Sequence, residues 1–376
     1  MFGRPINYLL FFKKLKNGIN QQKYLIAPLD WGLGHATRCI PLIDYLLSLG
    51  HRVFVCGEGS VEKLIKKEFP QVEFLQLRGY RISYSKSRKM FWYKILIQLP
   101  KIALAVRRER KWLSAVINQH KIDVVISDNR LGLYNQNAYS IFMTHQLGIK
   151  TGTKFFDYFA RKINYSYINR FNECWVPDID DKQWSIAGEL SHPQHFPKAP
   201  IKYIGLLSRI NPTTSNTQYD IAAILSGPEP QRTIFEKKVG ALFSKSLLRG
   251  IIVRGLPGVN STIESLPPNI KQVNHLDAVQ MSLLLQSSSS VVCRSGYSTV
   301  MDLLKTGKPA LLVPTPGQTE QVYLAQRMNH LGFFSSSDQS ALRYEDILCI
   351  TSSKKINSEV FELFKKELNR LEKTLG

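Results

Sequence analysis

The chain is short of acids. Its 376 residues hold 29 Asp and Glu against 50 Lys and Arg, a formal net charge of +21. Charged residues make up only 21% of the chain, slightly below the roughly 25% of an average soluble domain, so the basicity comes mostly from missing carboxylates. Such an imbalance favours a partner that is anionic over an extended surface, either nucleic acid or an anionic membrane. Paired or clustered cysteine is also lacking. Cys39, Cys56, Cys174, Cys293 and Cys349 are scattered, odd in number and never spaced CxxC, which argues against a disulfide framework or zinc cluster and for a reducing compartment. No long apolar run occurs: the stretch from Ile95 to Val106 is broken by Gln98, Pro100 and Lys101, far short of the roughly 20 residues of a spanning helix. The run Tyr8 to Phe12 is followed by Lys13, Lys14 and Lys16 without a small-residue cleavage site, which speaks against a signal peptide. The expected location is the cytoplasm, with the inner membrane face as the place of any peripheral attachment. GxGxxG and GxxxxGK[ST] are missing too, so neither a dinucleotide fold nor a P-loop kinase is supported.

What is present is enough for full cores, with 44% apolar and 11% aromatic residues, over a length that suits two domains. From Lys23 strands and helices alternate. Tyr24-Leu-Ile-Ala-Pro is a short apolar strand ending at the turn Asp30-Trp-Gly-Leu-Gly-His. Cys39, Ile40, Leu42, Ile43, Leu46 and Leu47 then recur at helical spacing, with Gly50 where a C-terminal cap belongs. Arg52-Val-Phe-Val-Cys, Lys121-Ile-Asp-Val-Val-Ile-Ser-Asp, Ser140 to Thr144 and Glu173 to Val176 are further strands. The rhythm restarts after residue 220 with strands at Ile221, Ile251, Ser290 and Pro309. The expectation is an α/β protein of two doubly wound, Rossmann-like domains. Its expected parts are a basic N-terminal extension (1–22), a first domain (23–208), a linker (209–219), a second domain (220–356) and a C-terminal amphipathic helix (357–376).

In open α/β sheets ligands bind beyond the carboxyl ends of the strands. Ser226-Gly227-Pro-Glu-Pro follows one strand, and Arg294-Ser295-Gly296-Tyr297-Ser298-Thr299 follows another and opens a helix. Glycine lets backbone approach an anion, and a helix N-terminus binds phosphate. Asp302 lies one turn after Ser298, so a carboxylate and a helix start face one pocket, an arrangement able to take a ribose diol and a diphosphate. Gln318, Glu320 and Gln321 add polar groups suited to sugar hydroxyls. The segment 78–113 breaks the rhythm, with eleven basic residues against Glu109 alone, interleaved with Tyr80, Tyr84, Phe91, Trp92, Tyr93 and Trp112. It can be a solvated basic face, a nucleic-acid surface or an interfacial membrane segment; without a recognised nucleic-acid module, docking to an anionic membrane or a lipid acceptor is favoured.

From Ser290 to Gln321 the sequence resembles the donor-binding half of the family 28 glycosyltransferases, which include the lipid II-forming N-acetylglucosaminyltransferase and plant galactolipid synthases. The resemblance implies a GT-B fold, two Rossmann-like domains facing across a cleft with the C-terminal helix returning to the first. It implies that Asp302, a shorter acid than the family's Glu, holds the ribose, and that Ser295, Gly296, Tyr297, Ser298 and Thr299 line the diphosphate and sugar. By the same resemblance Glu320 and Gln321 stand at a Gln-Gln pair that reads the sugar, His275 and Leu276 at the uracil, and Arg209 at the diphosphate. Ser226 and Gly227 hold the place of a glycine-rich loop that has lost glycines. Gly32, Gly34 and His35 resemble the first acceptor-side loop, and His145 and Gln146 a second strand-end motif.

The activity implied is transfer of a sugar from a UDP-sugar to an acceptor hydroxyl, lipid-linked or membrane-associated, with inversion and without a metal or other cofactor. His35, with an ordinary pKa of about 6.5, is the candidate general base and Asp128 the reserve base. Asp178-Ile-Asp180-Asp181 has a DxD pattern but is expected to be a surface turn. A nucleotide-sugar epimerase of the same fold is the alternative enzyme, and a non-catalytic UDP-sugar-binding or membrane scaffold the alternative outside catalysis.

Overall fold

The computed structural model describes residues 21–30, 32–80, 91–150, 153–211, 216–256, 262–263, 266–350 and 354–375. Most of the N-terminal extension, Tyr84 and the centre of the linker lie outside them.

The first sheet holds β1 (Lys23–Pro28), β2 (Arg52–Gly57), β3 (Glu73–Gln76), β4 (Val124–Asp128), β5 (Tyr139–Met143), β6 (Glu173–Val176) and β7 (Ile201–Tyr203). They are parallel, in the order β3-β2-β1-β4-β5-β6-β7. Strand side chains alternate between faces, and both faces are apolar because helices cover both. Tyr24, Ile26, Val55, Ile126, Ile141 and Trp175 belong to one core cluster with the buried residues of α1 (Leu33–Ser48) and α2 (Ser60–Glu68). Leu25, Ala27, Phe54 and Val125 meet Leu113, Val116 and Ile117 of α3 (Phe91–His120). Phe142, Cys174 and Val176, on that same face, meet Ile168 of α4 (Lys154–Ile168). Gly50 ends α1 at φ +84°, a backbone state open to glycine without strain.

The second sheet is also parallel, in the order β10-β9-β8-β11-β12-β13. Its strands are β8 (Tyr219–Ile224), β9 (Gly250–Val253), β10 (Ile270–Val273), β11 (Ser288–Cys293), β12 (Ala310–Leu312) and β13 (Ser335–Ser336). On one face α5 (Gln231–Phe243) buries Phe235, Val239 and Phe243 against Ile221, Ala223, Ile252 and Val292. On the other α6 (Ala278–Gln286), α7 (Tyr297–Thr306) and α8 (Thr319–His330) pack on Ala222, Val253, Val291 and Leu312. A short α9 (Tyr344–Leu348) precedes the C-terminal α10 (Leu363–Leu375). α10 crosses back to the first domain, burying Phe364, Leu368 and Leu371, with Glu372 2.5 Å from His51 and Arg370 2.7 Å from Glu173. The expected two-domain, GT-B-like architecture with a returning helix is the one found. Four strands escape the sequence rhythm, β3, β7, β10 and β13; they are the edge strands of the two sheets and are largely part-exposed, so they lack the continuous apolar run that marks a strand covered on both faces.

The DxD expectation needs correcting at its first residue. Asp178 is fully buried, and its carboxylate accepts from the Ser185 and Ser191 hydroxyls at 2.6 Å and from the Ile186 and Ala187 amides. It organises the loop from β6 toward β7, whereas Asp180 and Asp181 are exposed turn residues.

Candidate active site

Strand order brings the first group together. β1 pairs with β4, and Pro28 stands opposite Asp128, so the turn after β1 and the end of β4 meet where the chain changes direction across the sheet. Gly32, at φ +96°, turns the chain into α1, which places His35 in the first helical turn. Its Nδ1 lies 3.0 Å from Oδ2 of Asp128, which is wholly buried. Arg38, one turn further on and also buried, donates from Nε to the same oxygen at 2.7 Å, and its Nη2 is ion-paired with Oδ1. Arg38 Nη2 also stands 2.8 Å from His35 Nδ1, and Nη1 2.9 Å from His145 Nδ1.

The electrostatics follow from this packing. Burial alone would raise the Asp128 carboxyl, but Arg38 and His35 outweigh it and hold it at about 2. Burial, against the pull of Asp128, keeps the His35 imidazolium below its ordinary value of 6.5. A guanidinium only donates, so His145 Nδ1 accepts from Arg38. The ring is then the Nε2–H tautomer and donates to Glu320 at 2.8 Å. Arg38 is one residue that the sequence alone did not single out. Its signal was an arginine within the apolar phase of α1, three residues after His35.

The second group lies on the other sheet. β11 leads through Arg294, Ser295 and Gly296 into α7, where Ser298 and Thr299 are half-buried in the first turn. Asp302, one turn on, accepts from the Ser208 hydroxyl at 2.6 Å, and its other oxygen lies 3.7 Å from Arg209 Nε. Burial raises the Asp302 carboxyl despite Arg209 and Ser208. Arg209 Nε is buried with no hydrogen-bond partner. The two residues expected at the ribose and the diphosphate therefore stand together. His275 and Leu276 are half-buried nearby; burial, then Lys67 and Arg209, lowers the imidazole. Gly227, at φ +106°, and Ser226 form an exposed turn after β8.

Arg294, also missed, braces these loops from beneath. It is fully buried and donates to the Val313 and Pro314 carbonyls at 3.2 Å, the Gln231 carbonyl at 2.9 Å and the Gln339 side chain at 2.6 Å. Ser295 Oγ donates to the Gln321 carbonyl at 2.7 Å, and the Gln321 side chain bonds the Thr315 amide at 2.8 Å and Gln318 at 2.5 Å. Ser295, Gln318 and Gln321 thus hold the loop together, while of the three residues expected at the sugar Glu320 bonds across the cleft.

The two groups meet. Ser298 Oγ donates to the Gly34 carbonyl at 2.9 Å, and the Tyr297 ring stacks on His145 with centroids 4.1 Å apart. The Tyr297 hydroxyl is committed to the Pro177 carbonyl at 2.5 Å, and the Gln146 amide to Thr144 Oγ1 at 3.0 Å. A histidine–carboxylate pair at one strand end thereby faces a helix N-terminus, an arginine and a carboxylate at another. This arrangement can accept a proton on one wall while binding an anion on the other.

Comparison with known proteins agrees. Residues 259–373 match the glycosyltransferase family 28 C-terminal domain, and residues 29–149 match glycosyl transferase family 1. An uncharacterized glycosyltransferase of Methanosarcina acetivorans is 22% identical over 339 residues, covering 80% of this chain and 81% of that protein. The UDP-N-acetylglucosamine–N-acetylmuramyl-(pentapeptide) pyrophosphoryl-undecaprenol N-acetylglucosamine transferase of Trichormus variabilis is 28% identical over 171 residues, 40% of this chain and 46% of that protein. The calicheamicin glycosyltransferase CalG4 superposes with a TM-score of 0.62 at 14% identity, over 95% of this chain and 96% of that chain. With family matches on both walls of the cleft and the fold shared end to end, the chain is a GT-B-fold glycosyltransferase related to families 28 and 1.

Proposed function

We propose that the enzyme transfers a sugar from a UDP-sugar to a hydroxyl of a lipid-linked or membrane-associated acceptor, inverting the anomeric carbon without a metal. The observation that carries this reading is the His35–Asp128 pair set across the cleft from the α7 N-terminus and the Arg209–Asp302 pair. Among the relatives, the Trichormus variabilis enzyme carries UDP-N-acetylglucosamine and a lipid-linked acceptor in its name, which supports uridine as the base and lipid as the carrier.

His35 is the general base. This role takes the tautomer in which Nδ1–H is donated to Asp128 and Nε2 keeps a lone pair for the acceptor proton; the 2.8 Å approach of Arg38 Nη2 to Nδ1 is then a contact between two donors and not a hydrogen bond, with Arg38 bonded to both carboxylate oxygens. Asp128, buried and paired, serves to orient His35 and to balance its charge as the proton arrives. The hydroxyl oxygen forms the new bond to the anomeric carbon as the bond to the diphosphate breaks. The leaving diphosphate gains negative charge, which the backbone N–H groups at the start of α7 and Arg209 stabilise. Asp302 takes the ribose hydroxyls, His275 and Leu276 lie at the base, and Gln318, Glu320 and Gln321 at the sugar. Gly32, Gly34, His145 and Gln146 border the acceptor.

A thermal-shift titration with UDP, GDP, ADP and TDP tests the donor half of this reading. A ligand at 100 times its dissociation constant stabilises by about 2.7 kcal/mol, so UDP should raise Tm selectively, and Asp302→Ala should lose the rise. No shift with any nucleotide would overturn it.

A further inference from the structure

The helix α4 carries an apolar face that its core contacts do not cover. Its apolar side chains at Phe155, Phe159 and Ile163 follow the i, i+4, i+8 spacing that normally marks a core stripe, yet all three are exposed, Phe155 at 66%. Phe156 and Tyr158 are exposed beside them. The rings touch one another, Phe155 against Phe159 at 4.8 Å between centroids and Tyr158 against Phe159 at 5.5 Å. The inner side of α4 is apolar as well, with Ile168 buried among Phe142, Phe171, Cys174 and Val176 and Tyr165 packed against them, so the outer rings are surplus to the core. Soluble monomers rarely leave so large a connected apolar patch in water without a use for it.

What surrounds the patch selects its occupant. Tyr167 of α4 and Ile102 and Ala105 of α3 pack against the same small cluster of Leu29, Tyr80 and Val106, so the two helices lie side by side on one face of the first sheet. The two helices are rich in cations: Arg161 lies over the Tyr158 ring at 5.9 Å, Lys162 is exposed next to it, and α3 exposes Lys101, Arg107, Arg108 and Lys111, with Leu104 exposed among them. The acids of the two helices are Glu109, buried against Arg130 and Tyr80, and the half-buried Asp157. A second copy of the chain meeting this face about a two-fold axis would set cations against cations. An anionic bilayer matches both parts, with rings entering the headgroup boundary and cations meeting lipid phosphates.

We infer that α4, with the exposed face of α3 beside it, is the surface through which the enzyme sits on an anionic lipid membrane. This deepens the proposed function by naming the membrane-facing elements, and it rests on that reading for a lipid acceptor. α4 starts at the carboxyl edge of the sheet, on the side where His145 lines the cleft, so docking there sets the acceptor wall close to the lipid headgroups.

The test is co-sedimentation of the full chain with vesicles of phosphatidylcholine alone and of phosphatidylcholine with phosphatidylglycerol. The wild type should bind only the anionic vesicles. The double variant Phe155→Ser/Phe159→Ser should lose at least about tenfold in partitioning with Tm and the UDP-induced shift unchanged. Arg107→Gln/Arg108→Gln should weaken binding about fivefold per charge, the equivalent of about 1 kcal/mol each. A second readout is Phe159→Trp, whose added emission should be quenched by brominated phosphatidylcholine in anionic vesicles. Equal binding to both vesicle types, or unaltered binding by the serine double variant, would overturn the assignment. So would a concentration-dependent dimer lost in that variant, which would give the face to a second copy, or a fall in its Tm without lipid, which would mean that the chain itself covers the rings. A retained UDP shift alongside any of these would leave the proposed function standing without this surface.

Discussion

His145 Nε2 lies 2.8 Å from the Glu320 carboxylate, so a histidine of the first domain and an acid of the second are joined across the cleft. Arg38 at the other ring nitrogen fixes which one carries the proton. The protein therefore has a polar chain running from Asp128 through Arg38 and His145 to Glu320, which ties the acid proposed to face the donor sugar to the carboxylate behind the proposed general base. A double-mutant cycle with His145→Phe, which keeps a ring for Tyr297 to stack on, and Glu320→Gln should give a coupling energy of about 1–3 kcal/mol in kcat/KM. Additive effects would show that the contact carries no function.

Replacing His35 with Ala should lower kcat by about a hundredfold to ten-thousandfold while UDP still raises Tm. Loss of both transfer and UDP binding would make His35 structural.

The proton acceptor must be neutral, and burial holds the His35 imidazolium below 6.5. Activity should thus be level above neutrality and fall on an acid limb whose midpoint lies below 6.5. Asp128→Asn removes a group that raises this value, so the midpoint should move further down. Rate should also drop by about a hundredfold or more, because the tautomer is no longer fixed. A pH–rate profile of kcat/KM for both forms checks the two shifts.

Stability should show the opposite partner of the same pair. The Asp128 carboxyl is at about 2 in the folded protein against an ordinary 3.8. A depressed carboxylate stabilises above its unfolded value and loses that contribution as pH falls through the folded one. About 2 kcal/mol should therefore disappear between about pH 4 and pH 2, and acid unfolding of Asp128→Asn should lack this component.

Arg38→Ala leaves the buried Asp128 charge without its guanidinium partner and with His35 and Asn129 left to hydrogen-bond it, at a cost of about 3–5 kcal/mol. Arg38→Lys should recover part of the stability but little activity, since one ammonium cannot reach Asp128 and both histidines in the planar geometry of a guanidinium. Thermal melts beside kcat measurements separate the two.

Much of the molecule was legible in its residues. Apolar runs ending at Gly32, Gly227 and Gly296 showed parallel sheets with their ligand edges, because a strand covered on both faces must be apolar throughout. The strand-end rule then pointed to His35, Asp128, Ser298 and Asp302 as ligand-edge residues, and the family resemblance implied one cleft for them. Composition alone showed the missing acids. The rest depended on contacts between residues far apart in sequence. Arg38 lies in an apolar helical phase, where only a carboxylate ninety positions away explains a buried guanidinium. Asp178 looked like a surface turn until four donors from the following loop closed over it. Phe155, Phe159 and Ile163 carry the spacing of a core stripe, yet the fold turns them outward. Periodicity reports that a face is apolar or polar; only tertiary packing decides what covers it.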